Sequence, residues 1–471
     1  MKNKQSPSRN VRRALVIFVL AAGVLSFLYS SLWAWVIILL AAYIAHEVLL
    51  ADHIHYSPDE DYSWQFSEGD RRSAEIHDNK LAVPEDWKHD YSVFLKIKVK
   101  ASLLGKIYDP LVRLVAGSSS FEQYFERSCA GFRYINLTPS IEASGNSDSI
   151  SLNSKYCSLE AESAELLAFE KPDLTNKKVL FIAPHSDDLE IAAFGLYRNT
   201  DCMLITITAG EAEPETFSRY QKSTADAALL KGRVRAWDSI AIPQWAGVQT
   251  DRVIQLGYFC MHLKDMHDSP EEAFKSRYAD TSDIRLFREF NSIKLSSDAD
   301  GQASWEHLVN DLSEIMQWFQ PDTIVTPHPE ADSHPDHFYS TLAIKEAAKK
   351  LEKDDIQTLF YINHLDATDQ FPFGPAKTLA SIPPVTVEEV NIAGAFSFSL
   401  SEEEQRDKLI ALQMNHDLRR PVRPRKWLRK QLQKLLINRY KPDYGNDEFF
   451  RKAVRANELF ILDSSKSSTE I

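Results

Sequence analysis

Two apolar runs in the second half of the chain predict the central strands of a β-sheet. Val179 to Ala183 contains no polar residue, and Thr323 to Val325 is a shorter run rich in β-branched residues. Such runs are typical of strands buried on both faces of a parallel sheet. Three further runs alternate with segments of helical periodicity, at Cys202 to Thr208, Val253 to Leu256 and Leu359 to Ile362. This alternation predicts a Rossmann-like α/β domain over residues 173–418, with a mostly parallel sheet and helices on both faces.

A second pattern, with a period of two residues, begins at Tyr91. Buried-type and mainly basic residues alternate from Val93 to Lys100, which is typical of a strand with one buried face. Several short strand candidates follow at intervals broken by turn-rich segments, and they predict a small β-sandwich over residues 91–172. Two interpretations stay open for this region. It is either a carbohydrate-binding or substrate-positioning module, or a packing platform that holds in its core the rings of Tyr124, Phe132 and Tyr134.

Residues 14–50 are almost uncharged, and this stretch is too long for one membrane span. As a single helix it would extend roughly 55 Å, against a hydrocarbon core of about 30 Å. Tyr29, Ser30 and Ser31 interrupt the run, so residues 1–50 are predicted to form a membrane anchor built as a two-helix hairpin. A cleaved signal peptide fits less well, because the run is too long for one. Basic residues before the hairpin predict that the N-terminus and the catalytic domain lie on the cytoplasmic side of an inner, cytoplasmic membrane. The acidic residues that follow the apolar run fit the alternative, which is a single tilted span with the catalytic domain on the outer side.

The segments that flank these units differ sharply in charge. Residues 51–90 are acidic and aromatic, and they are predicted to form an irregular connector. Residues 419–471 start with a basic stretch, because the chain from Arg419 to Lys441 contains ten basic residues and no acidic one. Trp427 and four leucines recur at helical spacing within this stretch. Beside a membrane anchor, such a basic amphipathic helix would bind an anionic leaflet or a phosphate-bearing lipid. The alternative is a helix packed on the domain with a solvated basic rim.

Composition narrows the possible functions. A chain of 471 residues with 44% hydrophobic and 26% charged residues is expected to fold into two or three units. Its net charge of −13 argues against a nucleic-acid partner. The four cysteines show no Cys-x-x-Cys spacing, so buried free thiols are expected.

Metal-binding residue types follow directly after both central strands. The first strand leads into His185-Ser186-Asp187-Asp188, and the second is followed by His334-Pro335-Asp336-His337. The carboxyl ends of parallel strands meet at the edge of the sheet where α/β proteins place their chemistry. An imidazole and a carboxylate from the first turn, with an imidazole from the second, make three ligands and leave a fourth position for water, which is the catalytic zinc pattern. Of the two adjacent aspartates in the first turn, the one that does not bind the metal can then take a proton from the bound water.

At these residues the chain resembles the PIG-L/LmbE family of zinc-dependent N-acetylglucosaminyl deacetylases, whose signatures are a His-Pro-Asp-Asp turn and a later His-Pro-Asp-His. The second motif matches fully, and the first departs at Ser186, which stands in the place of proline. The resemblance covers about residues 177–420. It implies that zinc is bound by His185, Asp188 and His337. It also implies that Asp187 is the general base, that His334 stabilises or protonates the tetrahedral intermediate, and that Asp336 orients His334.

The same resemblance implies a set of substrate-binding residues. The family commonly carries a Gly-Asp or Gly-Glu turn after its second strand, which corresponds here to Gly210 and Glu211. A substrate-contacting arginine falls on the following helix, where both Arg233 and Arg235 qualify. A solvated helix face is an equal alternative for these two arginines.

The expected function is that of a membrane-anchored zinc hydrolase that removes the acetyl group from an N-acetylated sugar. N-acetylglucosamine in a glycolipid or polysaccharide precursor fits best, because an anchored enzyme favours a lipid-linked substrate. Two alternatives stay open. One is a zinc amidase for another N-acyl small molecule, and the other is a non-catalytic glycan-binding membrane protein.

Overall fold

The computed structural model describes residue 23 and residues 32–50, 54–62, 64–87, 90–144, 149–221, 223–353, 355–384, 391–419, 424–437, 439 and 448–463. The α-helices between Leu32 and Leu462 are α1 (Leu32–Ala45), α2 (Thr138–Ala143), α3 (Asp188–Ala192), α4 (Phe194–Arg198), α5 (Thr224–Ala241), α6 (Leu263–Asp268), α7 (Trp305–Phe319), α8 (Pro335–Lys350), α9 (Glu402–Met414), α10 (Pro424–Ile437) and α11 (Glu448–Ala453). The strands are β1 (Gln65–Phe66), β2 (Asp70–Ser73), β3 (Ile76–His77), β4 (Lys80–Ala82), β5 (Tyr91–Ala101), β6 (Leu111–Ala116), β7 (Ser119–Tyr124), β8 (Ala130–Asn136), β9 (Ser149–Lys155), β10 (Cys157–Glu170), β11 (Lys178–Ala183), β12 (Asp201–Thr208), β13 (Val253–Tyr258), β14 (Thr323–Pro327), β15 (Gln357–Tyr361), β16 (Asn391–Ile392), β17 (Gly394–Ser399) and β18 (Asn457–Leu462).

Seven strands form the central sheet, in the order β13-β12-β11-β14-β15-β18-β17. The first five run parallel, and β18 pairs antiparallel with both β15 and β17. β11 can lie inside the sheet because its side chains from Val179 to Ala183 are all buried and pack on both faces. The prediction of an α/β domain is confirmed, and its sheet is mostly parallel.

Helices cover both faces of this sheet. Leu180 and Ile182 of β11 belong to one core, which α7 and α8 complete on the same face of the sheet. Val179 and Phe181 belong to a second core on the other face, together with residues of α4 and α9. Because both faces are covered, the strand ends are the part of the sheet where polar side chains can gather.

The region before the central sheet is built from two antiparallel sheets. One has the order β2-β10-β5-β8, and the other has the order β3-β4-β9-β6-β7. Val93 and Leu95 of β5 share a core with Val112 and Leu114 of β6 and with Leu152 of β9. The two sheets therefore form a β-sandwich, and its core is separate from the two cores of the α/β domain.

The aromatic residues considered for glycan binding are at least partly buried. Tyr134 is 2% exposed and packs in a core with Phe94 and Phe169. Tyr124 is half-buried, and its hydroxyl donates a hydrogen bond to Glu122. For Tyr134, this arrangement favours the packing-platform interpretation.

Residues 51–90 are more regular than the connector that we expected. β1 pairs with β16, β2 joins the four-stranded sheet, and β3 and β4 join the five-stranded sheet. The sequence did not predict these strands because they show no alternation of apolar and polar residues. β2, for example, is exposed along its whole length. Such a strand is held by backbone hydrogen bonds and not by a buried face.

The C-terminal segment is not a separate unit, which corrects the expected domain boundary at residue 418. The predicted basic helix is present as α10, but the chain then returns to the central sheet as β18. Glu458 of β18 accepts hydrogen bonds from the backbone N–H groups of Gly195 and Leu196, both at 2.9 Å, and from Lys408 Nζ at 2.7 Å. The α/β domain therefore continues to Leu462.

Part of the predicted membrane anchor lies outside the described residues. Within it, α1 is a 14-residue helix without a charged side chain. Among the segments that the structure describes, no helix is both long enough and apolar enough to cross a membrane.

The place of β18 in the sheet predicts a large stability loss for Phe460→Ala. Phe460 is fully buried and stacks on Phe396, so truncation should lower the free energy of unfolding by about 3–5 kcal/mol. Urea unfolding followed by circular dichroism measures the loss. The control is Leu103→Ala, at a position 82% exposed, which should change the value by less than about 0.5 kcal/mol. Equal stability of the two variants would mean that β18 is not part of the core.

Candidate metal centre and catalytic site

Two loops meet beyond the carboxyl ends of β11 and β14. The two strands are parallel neighbours, with Phe181 opposite Val325. The loop after β11 carries the first motif and leads into α3, and the loop after β14 carries the second motif and leads into α8. Parallel pairing therefore brings both motifs to one edge of the sheet.

The second motif is also the start of α8. His334 is the N-cap residue, and its Nδ1 accepts a hydrogen bond from the backbone N–H of Asp336 at 3.2 Å. Pro335 follows in the first turn, where its fixed φ suits a helix. Asp336 and His337 come next, and both are buried. The helix start thus places these two side chains inside the domain.

The Asp188 carboxylate links the two motifs. Its Oδ2 lies 3.2 Å from Nδ1 of His185 and 3.3 Å from Nε2 of His337. His185 and His337 also offer, with His334, ligand atoms that all lie within 4.8 Å of one another. Two imidazoles and one carboxylate form a donor set that binds zinc and leaves a coordination position open. The structure brings together the three residues that the family resemblance assigns to the metal.

The surroundings of His337 fit a bound cation. Both ring nitrogens are buried and have no hydrogen-bond partner of good geometry among the described residues. Oxygens of Asp332 and Asp188 nevertheless lie 3.0 and 3.3 Å from them. Burial alone would lower the pKa of His337, but the two carboxylates outweigh burial and raise this pKa to about 9. The site therefore favours positive charge at this position, which a divalent ion would supply.

A further carboxylate lies beside each of the imidazoles of His185 and His337, at the ring nitrogen that does not face Asp188. Asp332 Oδ2 lies 3.0 Å from Nδ1 of His337 and accepts the backbone N–H of Asn363 at 2.8 Å. Asp336 Oδ2 lies 3.3 Å from Nε2 of His185 and accepts the backbone N–H of Met261 at 2.8 Å. A carboxylate behind a metal-binding histidine fixes the ring orientation and leaves the other nitrogen free to bind the ion.

The position of Asp336 corrects the role that we expected for it. Its carboxylate contacts His185 and the backbone of Met261, and His334 is bonded by the backbone N–H of Asp336. The reason is the helix start, since His334 caps α8 while Asp336 lies one position past Pro335 and points to the opposite motif. Asp336 thus orients His185, a candidate metal ligand, and its carboxylate does not orient His334.

Arg235 holds the proposed general base. Its guanidinium donates to Oδ1 of Asp187 at 2.8 Å and also to Asp417. Arg235 is 4% exposed on α5, so this contact lies in a buried corner of the site. Arg233, two residues earlier on the helix, instead pairs with Glu289 at the surface. Only one of the two candidate arginines therefore lies next to the site residues.

Gly210 makes room for Arg235. Its φ is +64°, and a Cβ at this position would lie 2.3 Å from Nε of Arg235. Both the backbone conformation and the close approach therefore require glycine.

Glu211 is fully buried beside Gly210. It accepts hydrogen bonds from Ser276 Oγ at 2.8 Å and from the backbone N–H of Cys260 at 3.1 Å. Burial raises the pKa of Glu211 to about 7. These contacts bind the segment after β13 to the site, so Glu211 shapes the wall of the site.

His334 stands in the neutral form at the centre of the site. Burial, and then the neighbouring imidazoles of His185 and His337, lower the pKa of His334 to about 4. Because Nδ1 accepts a hydrogen bond, the neutral ring carries its proton on Nε2. That N–H can donate a hydrogen bond to a negatively charged oxygen.

The structure adds residues that sequence reasoning missed. His364 offers a ligand atom within 4.8 Å of those of Asp188 and His337, and Cys260 does the same with His185 and Asp336. Asn363 donates to Asp188 Oδ1 at 2.9 Å. All three follow predicted parallel strands, β13 or β15. The signal that could have found them is a polar or ligating residue at each further strand end.

A cavity of about 520 Å³ lies next to the metal centre. Ser333, Asn363 and His364 line it on the side of the site, and Phe371 and Arg455 line it farther away. A cavity of this size can hold a sugar-sized ligand.

Comparison with known families supports the sequence pattern. The family model described as "PIG-L: GlcNAc-PI de-N-acetylase" matches residues 180–348. The matched stretch runs from β11 to α8 and so contains both motifs. A comparison with curated proteins finds no match.

Solved structures show only distant similarity. The crystal structure of GalB, the 4-carboxy-2-hydroxymuconate hydratase from Pseudomonas putida KT2440, is 12% identical, with 56% of this chain and 85% of that chain covered and a TM-score of 0.32. A family two carbohydrate esterase from Cellvibrio japonicus is 11% identical, with 62% and 86% covered and a TM-score of 0.16. These scores are too low to inform the chemistry of this chain.

The contact between Asp336 and His185 predicts a metal-binding defect for Asp336→Asn. Loss of a carboxylate behind a ligand typically weakens metal affinity by about 10–100-fold. Competition with a chromophoric zinc chelator measures the change. The control is Asp251→Asn, an exposed position before β13 at the other end of the sheet, which should bind zinc as the unmodified protein does. Unchanged zinc affinity in Asp336→Asn would return Asp336 to the role of orienting His334.

Proposed function

Because residues 180–348 of this chain are a PIG-L domain, we propose that the protein is a zinc-dependent hydrolase that removes the acetyl group from an N-acetylated sugar. The observation that carries the proposal is the convergence of His185, Asp188 and His337 with a second, Arg235-bound aspartate and a neutral histidine. A site that only held a metal would need the first three residues alone.

The metal would be held by His185, Asp188 and His337, where it would polarise the amide carbonyl and lower the pKa of a bound water. Asp187 is 16% exposed, so it can reach the attacking water while Arg235 holds its other side. It acts as general base and takes the proton from this water.

His334 completes the reaction on the other side of the metal ligands. Its ring lies 4.9 Å from that of His185 and 5.0 Å from that of His337, measured between centroids. The Nε2–H of the neutral ring donates a hydrogen bond to the developing oxyanion, which stabilises the tetrahedral intermediate. Collapse of the intermediate breaks the C–N bond, and the proton held by Asp187 passes to the leaving amine. The products are acetate and a free amine.

The substrate proposal follows the family description, which names GlcNAc-PI, a glycolipid. We therefore propose N-acetylglucosamine on a lipid carrier or in a polysaccharide precursor, with the cavity beside His364 receiving part of the substrate. The enzyme would act at the cytoplasmic membrane, with its catalytic domain on the cytoplasmic side.

The experiment that tests the function is acetate release from a panel of N-acetylated sugar lipids, soluble N-acetyl sugars and other N-acyl compounds, with zinc-loaded full chain. Acetate from a sugar substrate supports the proposal. Acyl release from the other N-acyl compounds alone would make the protein a different amidase. Binding of sugars without any release would make it a non-catalytic glycan-binding protein.

Asp187→Asn should separate catalysis from metal binding. The amide keeps the shape of the side chain but cannot take a proton, so kcat should fall by about 10²–10⁴-fold. Zinc content should stay unchanged, in contrast to Asp188→Ala and His337→Ala, which lose a ligand. Acetate release and metal analysis on the same samples give both values, with Asp251→Asn as control. Full activity of Asp187→Asn would exclude its role as general base.

Gly210→Ala should reduce turnover by displacing Arg235 from Asp187. A misplacement of about 1 Å at a catalytic group can cost about 10²-fold in rate. The matched control is Gly247→Ala, because Gly247 also has a positive φ, +91°, but no atom lies within 4 Å of the added Cβ. The two variants share the backbone strain, and only Gly210→Ala should lose activity. Equal loss in both would assign the effect to backbone strain.

A further inference from the structure

The helix α1 leaves an unusual apolar surface exposed. It contains no charged residue, and its exposed fractions include 74% for Trp33, 65% for Ile37 and 56% for Leu40. Leu39 and Val36 are also about half-exposed. At 100° per residue these five positions span an arc of about 160°, so they form one broad exposed face of the helix. A helix that is apolar on most sides is stable only where an apolar medium or a protein core covers it.

The helix α10 exposes a second apolar surface with basic neighbours. Trp427, Leu428, Leu435 and Leu436 are each 40% or more exposed, and at 100° per residue they lie within one half of the helix surface. The helix carries arginines and lysines but no acidic residue. Apolar side chains flanked by basic ones are the pattern of a helix that lies at a membrane surface.

A buried carboxylate joins the two helices. Glu47 follows directly after α1 and is fully buried. Its Oε1 accepts from Arg425 at 2.7 Å, and its Oε2 accepts from Arg429 at 2.6 Å. Gln433 donates to the backbone oxygen of Glu47 at 3.3 Å. Three successive turns of α10 thus hold the end of α1.

The same junction is tied to the β-sandwich. Arg127 donates to the backbone oxygen of Val48 at 3.2 Å, and its side chain lies 3.8 Å from Asp109. Asp109 in turn accepts from Arg439, just beyond α10. A buried ion pair loses much of its stability when one partner is removed. The junction therefore fixes α1 and α10 to each other and to the body of the protein.

From these contacts we propose that α1 and α10 form one surface that binds an anionic phospholipid bilayer. The Glu47 junction, which consists of Glu47 with Arg425, Arg429 and Gln433, holds the two helices together in this surface. The apolar side chains enter the acyl region, and the basic residues of α10 meet the headgroups. The basic residues beside the exposed apolar side chains of α10 favour an anionic bilayer over an uncharged protein groove. The apolar sequence also continues before α1, at Ala14 to Leu28. The proposal does not depend on the proposed reaction.

The test uses the full chain mixed with vesicles of phosphatidylglycerol and brominated phosphatidylcholine, whose bromine quenches tryptophan fluorescence inside the bilayer. Trp33→Phe and Trp427→Phe should each reduce the quenched signal. The matched control is Trp318→Phe, because Trp318 is 52% exposed on α7 and Trp427 is 54% exposed on α10. Trp318→Phe should leave the quenched signal unchanged.

A second measurement tests the junction. In the unmodified chain the quenching of Trp427 fluorescence should persist at high salt, because Glu47 holds α10 in place. In Glu47→Gln it should be lost at high salt, when screening removes the attraction between basic residues and lipid. Arg425→Gln tests the same contact from the other helix. Far-ultraviolet circular dichroism of each variant shows that the protein is folded.

Three outcomes would overturn the proposal. Unchanged quenching in Trp427→Phe would mean that α10 does not enter the bilayer. Salt-resistant quenching in Glu47→Gln and Arg425→Gln would mean that the junction does not couple the helices. Absence of quenching together with sedimentation as a dimer would make this surface an interface between two copies of the chain. Because none of these measurements uses turnover, they stay separate from a failure of the proposed deacetylation.

Discussion

The candidate site depends on one shared carboxylate. Asp188 belongs to the turn after β11, yet its Oδ2 lies between His185 of the same turn and His337 of α8. This arrangement is possible only because β11 and β14 pair in parallel and end at the same edge. Without a cation, the carboxylate and its neighbour Asp332 hold a protonated His337. The burial of so many charges at one strand end is costly unless they are paired or bind a metal.

The supporting residues extend this dependence outward. Asp336 and Asp332 each stand behind one histidine, and they also accept backbone N–H groups from the segments after β13 and β15. Four strand ends are thus connected through carboxylates of one loop and one helix start. A change in any of these segments will reach the candidate metal ligands through a single intervening side chain.

The sequence predicted the parts of the fold that burial decides. β11 and β14 were predicted correctly because their apolar runs are stable only in the interior, and the candidate ligands were chosen because they follow those runs. The elements that the sequence did not predict are those that depend on strand pairing or on the orientation of a side chain. β2 is polar and exposed, so nothing in its composition marks it as a strand. β18 has an ordinary strand pattern, but its antiparallel pairing with β15 and β17 joins segments that are distant in the sequence.

The site residues show the same division. Arg233 and Arg235 are two positions apart, which on a helix places them on nearly opposite faces, and the sequence does not say which face meets the site. Lys231 and Arg235 are both buried on α5. The buried face of this helix is therefore not marked by a continuous apolar stripe, and the sequence pattern does not reveal which face is buried. Asp336 could be assigned to the site from the sequence, but its partner depends on how α8 begins.

The insertion of β18 between β15 and β17 has a consequence for folding during synthesis. β17 leaves the ribosome well before β18, and its hydrogen-bonding partner in the sheet does not yet exist. Until α9, α10 and α11 have also been made, the backbone groups of β17 that later bond to β18 have no partner in the sheet. Exposed strand edges of this kind can pair with other chains. The parallel strands β11 to β15 can already be in register at that time, because all their parallel partners precede β17. Only the outer edge of β15 still lacks β18. The candidate metal site can therefore assemble on a nascent chain whose sheet is still open at one side, and an ion bound there would help to hold the incomplete domain.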